Sequence, residues 1–414
     1  MVFPAFLLSL FVPLWVAAQD PLFVEQARFQ PADRQLYDEF SWEIALSGDG
    51  GTALTSAKGQ DCAAGPDCGA VYVFARDGAK WVQEAKLRPA GTVAYDRVAE
   101  FAVSADGNVA LLGVAYRDCA AGENCGAAFV FERSGGIWSE GQKLTDPEGS
   151  AYDSFGAKVA LSGDATVAFV SDGLSVHVFR RSGSLFVPEA RLAPSGVPSF
   201  TFGALRVSGD GETVLIRQDG NPFIDPAYGP ILVFRRVGGS WVEEPTIEPP
   251  APTSSLKYFD VLALSGDGRT AMIAEASASG GMTFWEWWST VSIWTYDGAG
   301  WSPQAQFGYR GASQEWGTLS FDGDTAVIAG DTGVTQVFRR RNGVWTPGQI
   351  FPSEISFFAS LSDDGRTVLL TGIGGLHIFQ QALFSPDIPT VSEVGLALLA
   401  LLLAGAGAAR LRRV

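Results

Sequence analysis

The sequence predicts an all-β fold: a seven-bladed β-propeller of four-stranded blades, closed by its own N-terminal strand and followed by one C-terminal transmembrane helix. Three observations carry this expectation. A Ser-x-Asp turn, usually followed by Gly, recurs with its aspartate at Asp49, Asp106, Asp164, Asp210, Asp267, Asp322 and Asp364. A short strand ending in an aromatic follows each turn: V-Y-V-F (71–74), A-F-V-F (128–131), V-H-V-F (176–179), I-L-V-F (231–234), V-S-I-W (291–294), T-Q-V-F (335–338) and L-H-I-F (376–379). A further strand pattern, F-V-E-Q-A-R-F-Q-P (23–31), stands near the N-terminus with no companion strands before it.

The six intervals between the turn aspartates span 315 residues, a mean of 52.5, within the range of propeller and solenoid repeats. Alternating strands flank each turn, as in E-I-A-L-S-G-D-G (43–50) followed by T-A-L-T-S (52–56). Asp-Gly between such runs is the pair that primed hairpin turns require. In six repeats the third strand leads through a charged or glycine-containing turn to an aromatic that opens the fourth: Trp81, Trp138, Phe186, Trp241, Trp301 and Trp345. The seventh repeat stops at Gln380-Gln381. The N-terminal strand supplies its missing piece, and closing the ring removes two unpaired edges that would template aggregation.

Composition narrows the function. With 45 Asp and Glu against 29 Lys and Arg, the 414-residue chain carries a net charge of −16, which repels a phosphate backbone, so no nucleic-acid partner is expected. At 12% aromatic and 18% charged residues it is too apolar for a disordered chain. Only two histidines leave little material for histidine catalysis or a zinc site.

Taken in chain order, residues 1–18 read as a signal peptide: an apolar run from Phe3 to Trp15, then Val16-Ala17-Ala18 with small residues placed for cleavage before Gln19. The propeller occupies 19–381. Its first two blades carry D-C-A-A-G-P-D-C-G-A, with Cys62 and Cys68, and D-C-A-A-G-E-N-C-G-A, with Cys119 and Cys125. The pairs lie 57 residues apart, the same interval as Asp49 to Asp106, so they occupy equivalent loops between second and third strands. In an exported chain this spacing reads as two local disulfides, each stapling one loop, rather than as zinc, for which no histidine is near.

Little else offers chemistry. Only Asp322-Gly-Asp324 and Asp363-Asp364 offer two acids close together; the other turns carry the single carboxylate that a turn-former needs to bond its own backbone, whereas calcium loops surround one ion with several oxygens, so no metal or cofactor is expected. His177 and His377 share one position in two third strands and read as structural or surface residues. No nucleophile elbow, phosphate loop, zinc-protease motif or dinucleotide fingerprint occurs. Blade five alone breaks the repeat, with M-T-F-W-E-W-W-S-T (282–290). Trp285, Trp287 and Trp288 are therefore the candidate ligand-binding residues, with packing between blades as the alternative.

Beyond the propeller come a linker with a sorting motif (382–393), an apolar segment (394–409) and a basic tail (410–414). Sixteen apolar or small residues cover roughly 24 Å as a helix, nearly a bilayer core. The arginines that follow put the C-terminus in the cytoplasm and everything before residue 388 outside. The tail resembles the IPTL-CTERM sorting signals of Gram-negative bacteria. The motif stands as I-P-T-V-S-E-V-G over 388–395, matching at Ile388, Pro389, Thr390, Ser392, Glu393 and Gly395, and departing at Val391 and Val394. Arg410, Arg412 and Arg413 supply the terminal cluster. The resemblance implies processing by an exosortase-like transpeptidase and delivery from the inner membrane to the envelope or surface.

The repeat is similar to the FG-GAP family, the unit of the integrin alpha-subunit propeller. The similarity rests on D-S-F-G-A-K-V-A-L-S-G-D (153–164), Phe202-Gly203, Trp316-Gly317 and the G-A-V-Y-V-F type of third strand. It implies a non-catalytic recognition or adhesion module; a glycan or an envelope protein is the candidate ligand. A hydrolase of extracellular polysaccharide with acids in the central funnel, and a purely structural surface component, are the alternatives.

Overall fold

In the computed structural model, residues 22–382 are described apart from 36, 196–200, 220–229, 249–255, 280–285, 311–314, 331–333, 353–354 and 373–374. Residues 1–18, where a signal peptide is expected, and the tail from 383 onward, including the sorting motif, the apolar segment 394–409 and the basic residues 410–414, lie outside the described residues. Among the described residues no helix is long and apolar enough to cross a membrane. Val24–Gln380 forms one unit; the other, Met1–Phe23 with Gln381–Val414, lies almost entirely outside the described residues.

Among the described residues, twenty-eight strands form seven four-stranded sheets. Blade 1 comprises Phe40–Leu46, Thr52–Ala57, Ala70–Asp77 and Lys80–Leu87, antiparallel throughout. Blades 2 to 6 repeat this order over 100–144, 159–192, 201–247, 256–310 and 315–350. Blade 7 comprises Ile355–Leu361, Thr367–Gly372 and Gly375–Gln381, and its fourth strand is Phe23–Phe29, as the displaced pattern predicts.

The burial of each strand follows its place in the blade. Second strands are sandwiched between neighbouring blades, so Thr52–Ala57 and Val109–Val114 are buried at all six positions; Val109–Val114 answers with a near-continuous apolar run, and Thr52–Ala57 with mostly small residues. Fourth strands face solvent on one side and alternate. The core is accordingly distributed over the contacts between blades: Leu54, Val71 and Val73 meet Leu112, Phe129 and Phe131, while Tyr72 and Phe74 meet Leu369, Leu376 and Ile378 across the closure. The aromatics that open fourth strands serve these contacts. Trp81 stacks on Phe29 at 6.0 Å, Trp241 meets Phe169 edge-on at 5.8 Å, and Trp345 meets Phe307 at 6.4 Å.

The Ser-x-Asp turn differs from the primed hairpin that Asp-Gly suggests. Only the glycine is left-handed, with φ of +69° at Gly50 and +67° at Gly107; the aspartates before them are not. The loop is longer and is built from side chains. In blade 2 Ser104 Oγ donates to Asp106 Oδ1 at 2.6 Å and accepts from Val109 N at 3.0 Å, and Asp106 Oδ1 accepts from Asn108 N at 3.0 Å. The same serine-to-aspartate bond recurs in all seven blades. Burial pushes the Asp106 and Asp164 carboxyls up, yet these bonds outweigh it and hold both below the usual range.

The seven turns are also bonded to one another. Asp49 N donates to Ala105 O (2.8 Å), Ala105 N to Gly163 O (2.7 Å), Gly163 N to Gly209 O (2.7 Å) and Asp210 N to Gly266 O (3.0 Å). Asp267 N donates to Phe321 O (3.3 Å), Phe321 N to Asp363 O (3.0 Å) and Asp363 N to Gly48 O (2.8 Å), completing a circle. This convergence explains the small residue in the middle of most turns. A Cβ on Gly266 would lie 2.0 Å from the Phe321 ring, and one on Gly48 would lie 2.2 Å from the Asp363 carboxylate. Phe321 and Asp363 are the two large residues that the circle accommodates.

Candidate functional site

The first strands of the blades line a central cavity of about 390 Å³. Glu43, Glu100 and Lys158 each stand four residues before a turn serine (Ser47, Ser104, Ser162), so three successive blades deliver them at one level. Arg206 of blade 4 and Asp260 of blade 5 continue the lining. Lys158 Nζ pairs with Glu100 Oε1 at 2.5 Å, Arg217 Nη1 with Asp260 Oδ2 at 2.8 Å, and Arg206 Nε donates to Leu262 O at 2.7 Å. Burial pushes Glu43 up to about 7; repulsion from Glu100 adds to the shift, and Lys158 and Arg206 oppose it. Burial works against the Lys158 ammonium, but Glu100 and Glu43 hold it above its ordinary value. The cavity thus sets a carboxyl that is easily protonated beside an ion-paired carboxylate, a combination able to donate and accept hydrogen bonds to a polar ligand.

Antiparallel blades put the Ser-x-Asp turns at one end and, at the other, the loops between second and third strands together with the connections into the next blade. Both cysteine pairs are disulfide-bonded in these loops, Cys62–Cys68 and Cys119–Cys125, each with Cα atoms 5.8 Å apart. Three backbone bonds tie each loop to the connection that follows. Tyr95, Arg97 and Val98 donate to Pro66, Asp67 and Cys68 at 3.0–3.1 Å. Tyr152, Ser154 and Phe155 donate to Glu123, Asn124 and Cys125 at 2.9 Å.

Blade 3 has no cysteines here, and Asp172 instead fixes the loop to the third and fourth strands of its own blade. Its carboxylate accepts from Leu174 N (2.9 Å), Ser175 N (2.6 Å), Ser175 Oγ (2.8 Å) and Arg191 Nη2 (2.9 Å), and it lies 2.8 Å from His177 Nε2. Burial pushes Asp172 up, but the bond to His177 and the others hold it well below the usual carboxylate range. Asp146, Asp172 and His177 approach closely enough to hold a metal ion. The Arg191 guanidinium already neutralises Asp172, however, so the donor set does not fit a cation. His377 is fully buried against Glu25 Oε1 at 2.9 Å, so both histidines are structural members of the fold and neither is a surface residue.

Of the predicted binding residues, Trp285 lies outside the described residues. Trp287 and Trp288 fall in the long third strand of blade 5, Glu286–Tyr296, opposite Ala278 and Ser277. Sequence reasoning passed over the cavity charges and three exposed tyrosines, Tyr37, Tyr95 and Tyr152, although the Tyr-Asp pair repeats at intervals of 58 and 57 residues.

Residues 23–74 and 138–187 match the FG-GAP repeat, and residues 388–413 match the IPTL-CTERM motif. Both FG-GAP segments begin in a fourth strand, one strand out of phase with the blade, which is the offset that closes the ring. The chain is similar to the crystal structure of the Cps50 (Swd1) β-propeller domain of Myceliophteria thermophila. The TM-score is 0.53 at 9% identity, over 87% of this chain and 100% of that one, a likeness in fold alone. No curated protein matches. The chain is a seven-bladed propeller that carries FG-GAP repeats and ends in a sorting motif, which points to export to the cell envelope.

Proposed function

We propose that the protein is an exported envelope or surface propeller acting as a non-catalytic recognition or adhesion module. An exosortase-like transpeptidase is the processing partner at 388–395. Until it acts, the segment 394–409 holds the chain in the inner membrane with residues 410–414 in the cytoplasm. The observation that supports recognition is the loop face of blades 1 to 3. Disulfides in two blades and the Asp172 cluster in the third pre-organise it, which lowers the entropic cost of binding. The oxidised protein should bind at least one member of a panel of glycans and envelope proteins in a pull-down or calorimetric titration. Absence of binding across the panel counts against the reading.

A polysaccharide hydrolase is the second reading, favoured by Glu43: a carboxyl pushed up to about 7 beside the Glu100–Lys158 pair suits a general acid. Release of reducing sugar from a polysaccharide, abolished in Glu43→Gln, would establish this reading in place of the first.

A further inference from the structure

The connections that enter blades 1, 2 and 3 share one construction. In each, a tyrosine sits in the left-handed region, with φ of +74° at Tyr37, +68° at Tyr95 and +69° at Tyr152. Bulky residues avoid that region, and where they persist in it the surroundings must over-determine them. Here the next residue does so. Asp38 and Asp96 accept from Gln35 N (2.7 Å) and Val93 N (2.8 Å), and Asp153 accepts from Ser150 N. The Tyr95 and Tyr152 amides are fixed in turn by the preceding disulfide loops, and the Asp38 carbonyl accepts from Gly59 N at 3.1 Å.

The result is three aromatic side chains turned outward, 84%, 61% and 66% exposed at Tyr37, Tyr95 and Tyr152. Folding alone gives no reason to keep a strained backbone in order to expose an aromatic ring. Beside Tyr37 lies an open recess of about 580 Å³, bordered by Gln30, Arg34, Gln35 and Glu39. Its size is that of a small-molecule site, and its rim offers side-chain donors and acceptors in both senses. The Tyr152 hydroxyl is held 2.8 Å from Glu123 Oε2, which orients that ring.

From these features we infer that Tyr37, Tyr95 and Tyr152 form a stacking platform for a neutral polysaccharide, with the recess at Tyr37 as its principal subsite. The inference rests on the recognition reading and supplies its ligand class. Flat aromatic faces meet the C–H faces of pyranose rings, while the carboxylates and amides around them take the hydroxyls. Tyrosine supplies that area with little rotamer entropy to lose. Three equivalent sites on consecutive blades match a ligand that itself repeats, and linked weak contacts multiply. A protein partner would ask for an apolar centre, but polar side chains (Gln30, Arg34, Gln35, Asp38 and Glu39) outnumber the apolar Pro31, Ala32 and Phe40 around the Tyr37 recess. The net charge of −16 disfavours acidic glycans.

The test uses the full-length oxidised protein in affinity electrophoresis against soluble neutral glucan, mannan, galactan and xylan, with a sulfated glucan as the charged counterpart. Titration with oligosaccharides of increasing length follows on whichever polysaccharide retards it. The expected result is retardation by at least one neutral polymer and none by the sulfated one, with affinity rising with oligosaccharide length. Tyr37→Ala should weaken binding about tenfold, and the triple variant Tyr37→Ala/Tyr95→Ala/Tyr152→Ala should abolish it with an unchanged thermal midpoint, while Tyr→Phe at all three positions retains it. Undiminished binding by the folded triple variant overturns the platform but leaves the recognition reading standing. Binding of an envelope protein and no glycan does the same. Binding of no polysaccharide overturns the platform, and binding of no member of the wider panel of glycans and envelope proteins defeats both.

Discussion

Glu43 is a residue whose protonation is coupled to the fold. Its folded pKa of about 7 stands above the ordinary 4.5 of glutamate, so between these values the native protein keeps a proton that the unfolded chain releases. Stability contributed here is present below about pH 4.5, falls as pH rises and is fully lost above about pH 7. Glu43→Gln removes the titration. It should be more stable than the wild type at pH 8 by on the order of 1–2 kcal/mol, and equal to it near pH 4, as measured by urea denaturation at the two pH values. A difference independent of pH would refute the burial argument. Part of this site is legible in the sequence, since Glu43, Glu100 and Lys158 share a register four residues before the turn serine. What the register does not reveal is that they face one another, because that requires the ring to close. The tyrosines are legible only as a Tyr-Asp repeat. Residue type argues against the left-handed backbone that exposes them, and only the aspartate bonds and disulfide loops, which are tertiary features, override it.

The Ser-x-Asp turn is the repeated element, and its serine is the residue that makes it specific. In blade 2 the buried Ser104 hydroxyl stands in for a missing strand carbonyl at Val109 N. Ser104→Ala leaves that amide without its partner and frees Asp106 from its shortest bond. The expected loss is about 1–3 kcal/mol, and Ser104→Thr should recover part of it if the pocket admits the methyl. The denaturant midpoint measures the loss, and an unchanged midpoint would mean that water replaces the hydroxyl. The turn's position is plain in the sequence but its type is not: Asp-Gly alone favours a tight primed turn, and the two side chains that bond the backbone lengthen the loop instead. The cysteine loops are read correctly because their chemistry is local. A five-residue spacing within one loop, duplicated a blade apart, leaves few other ways to pair.

At the scale of the whole molecule, closure depends on two segments from opposite ends of the chain. Deleting residues 22–30 strips blade 7 of its outer strand and exposes Gly375–Gln381 as an unpaired edge. The truncated protein should run as higher oligomers in size-exclusion chromatography and lose its single cooperative unfolding transition. A well-behaved monomer would show that the circle of turn-to-turn bonds suffices to hold the ring. The displaced strand is legible because the seventh repeat ends one strand short. The circle of bonds is invisible in the sequence, because backbone amides carry no signature beyond the small residues they crowd. Closure also determines how the molecule bears a load. A pull on the C-terminal tail reaches the propeller at Gln381, the end of a strand bonded on both sides, to Thr367–Gly372 and to Phe23–Phe29. Tension therefore acts along two hydrogen-bonded ladders at once, and must slide a central strand out of its sheet instead of peeling away an outer one.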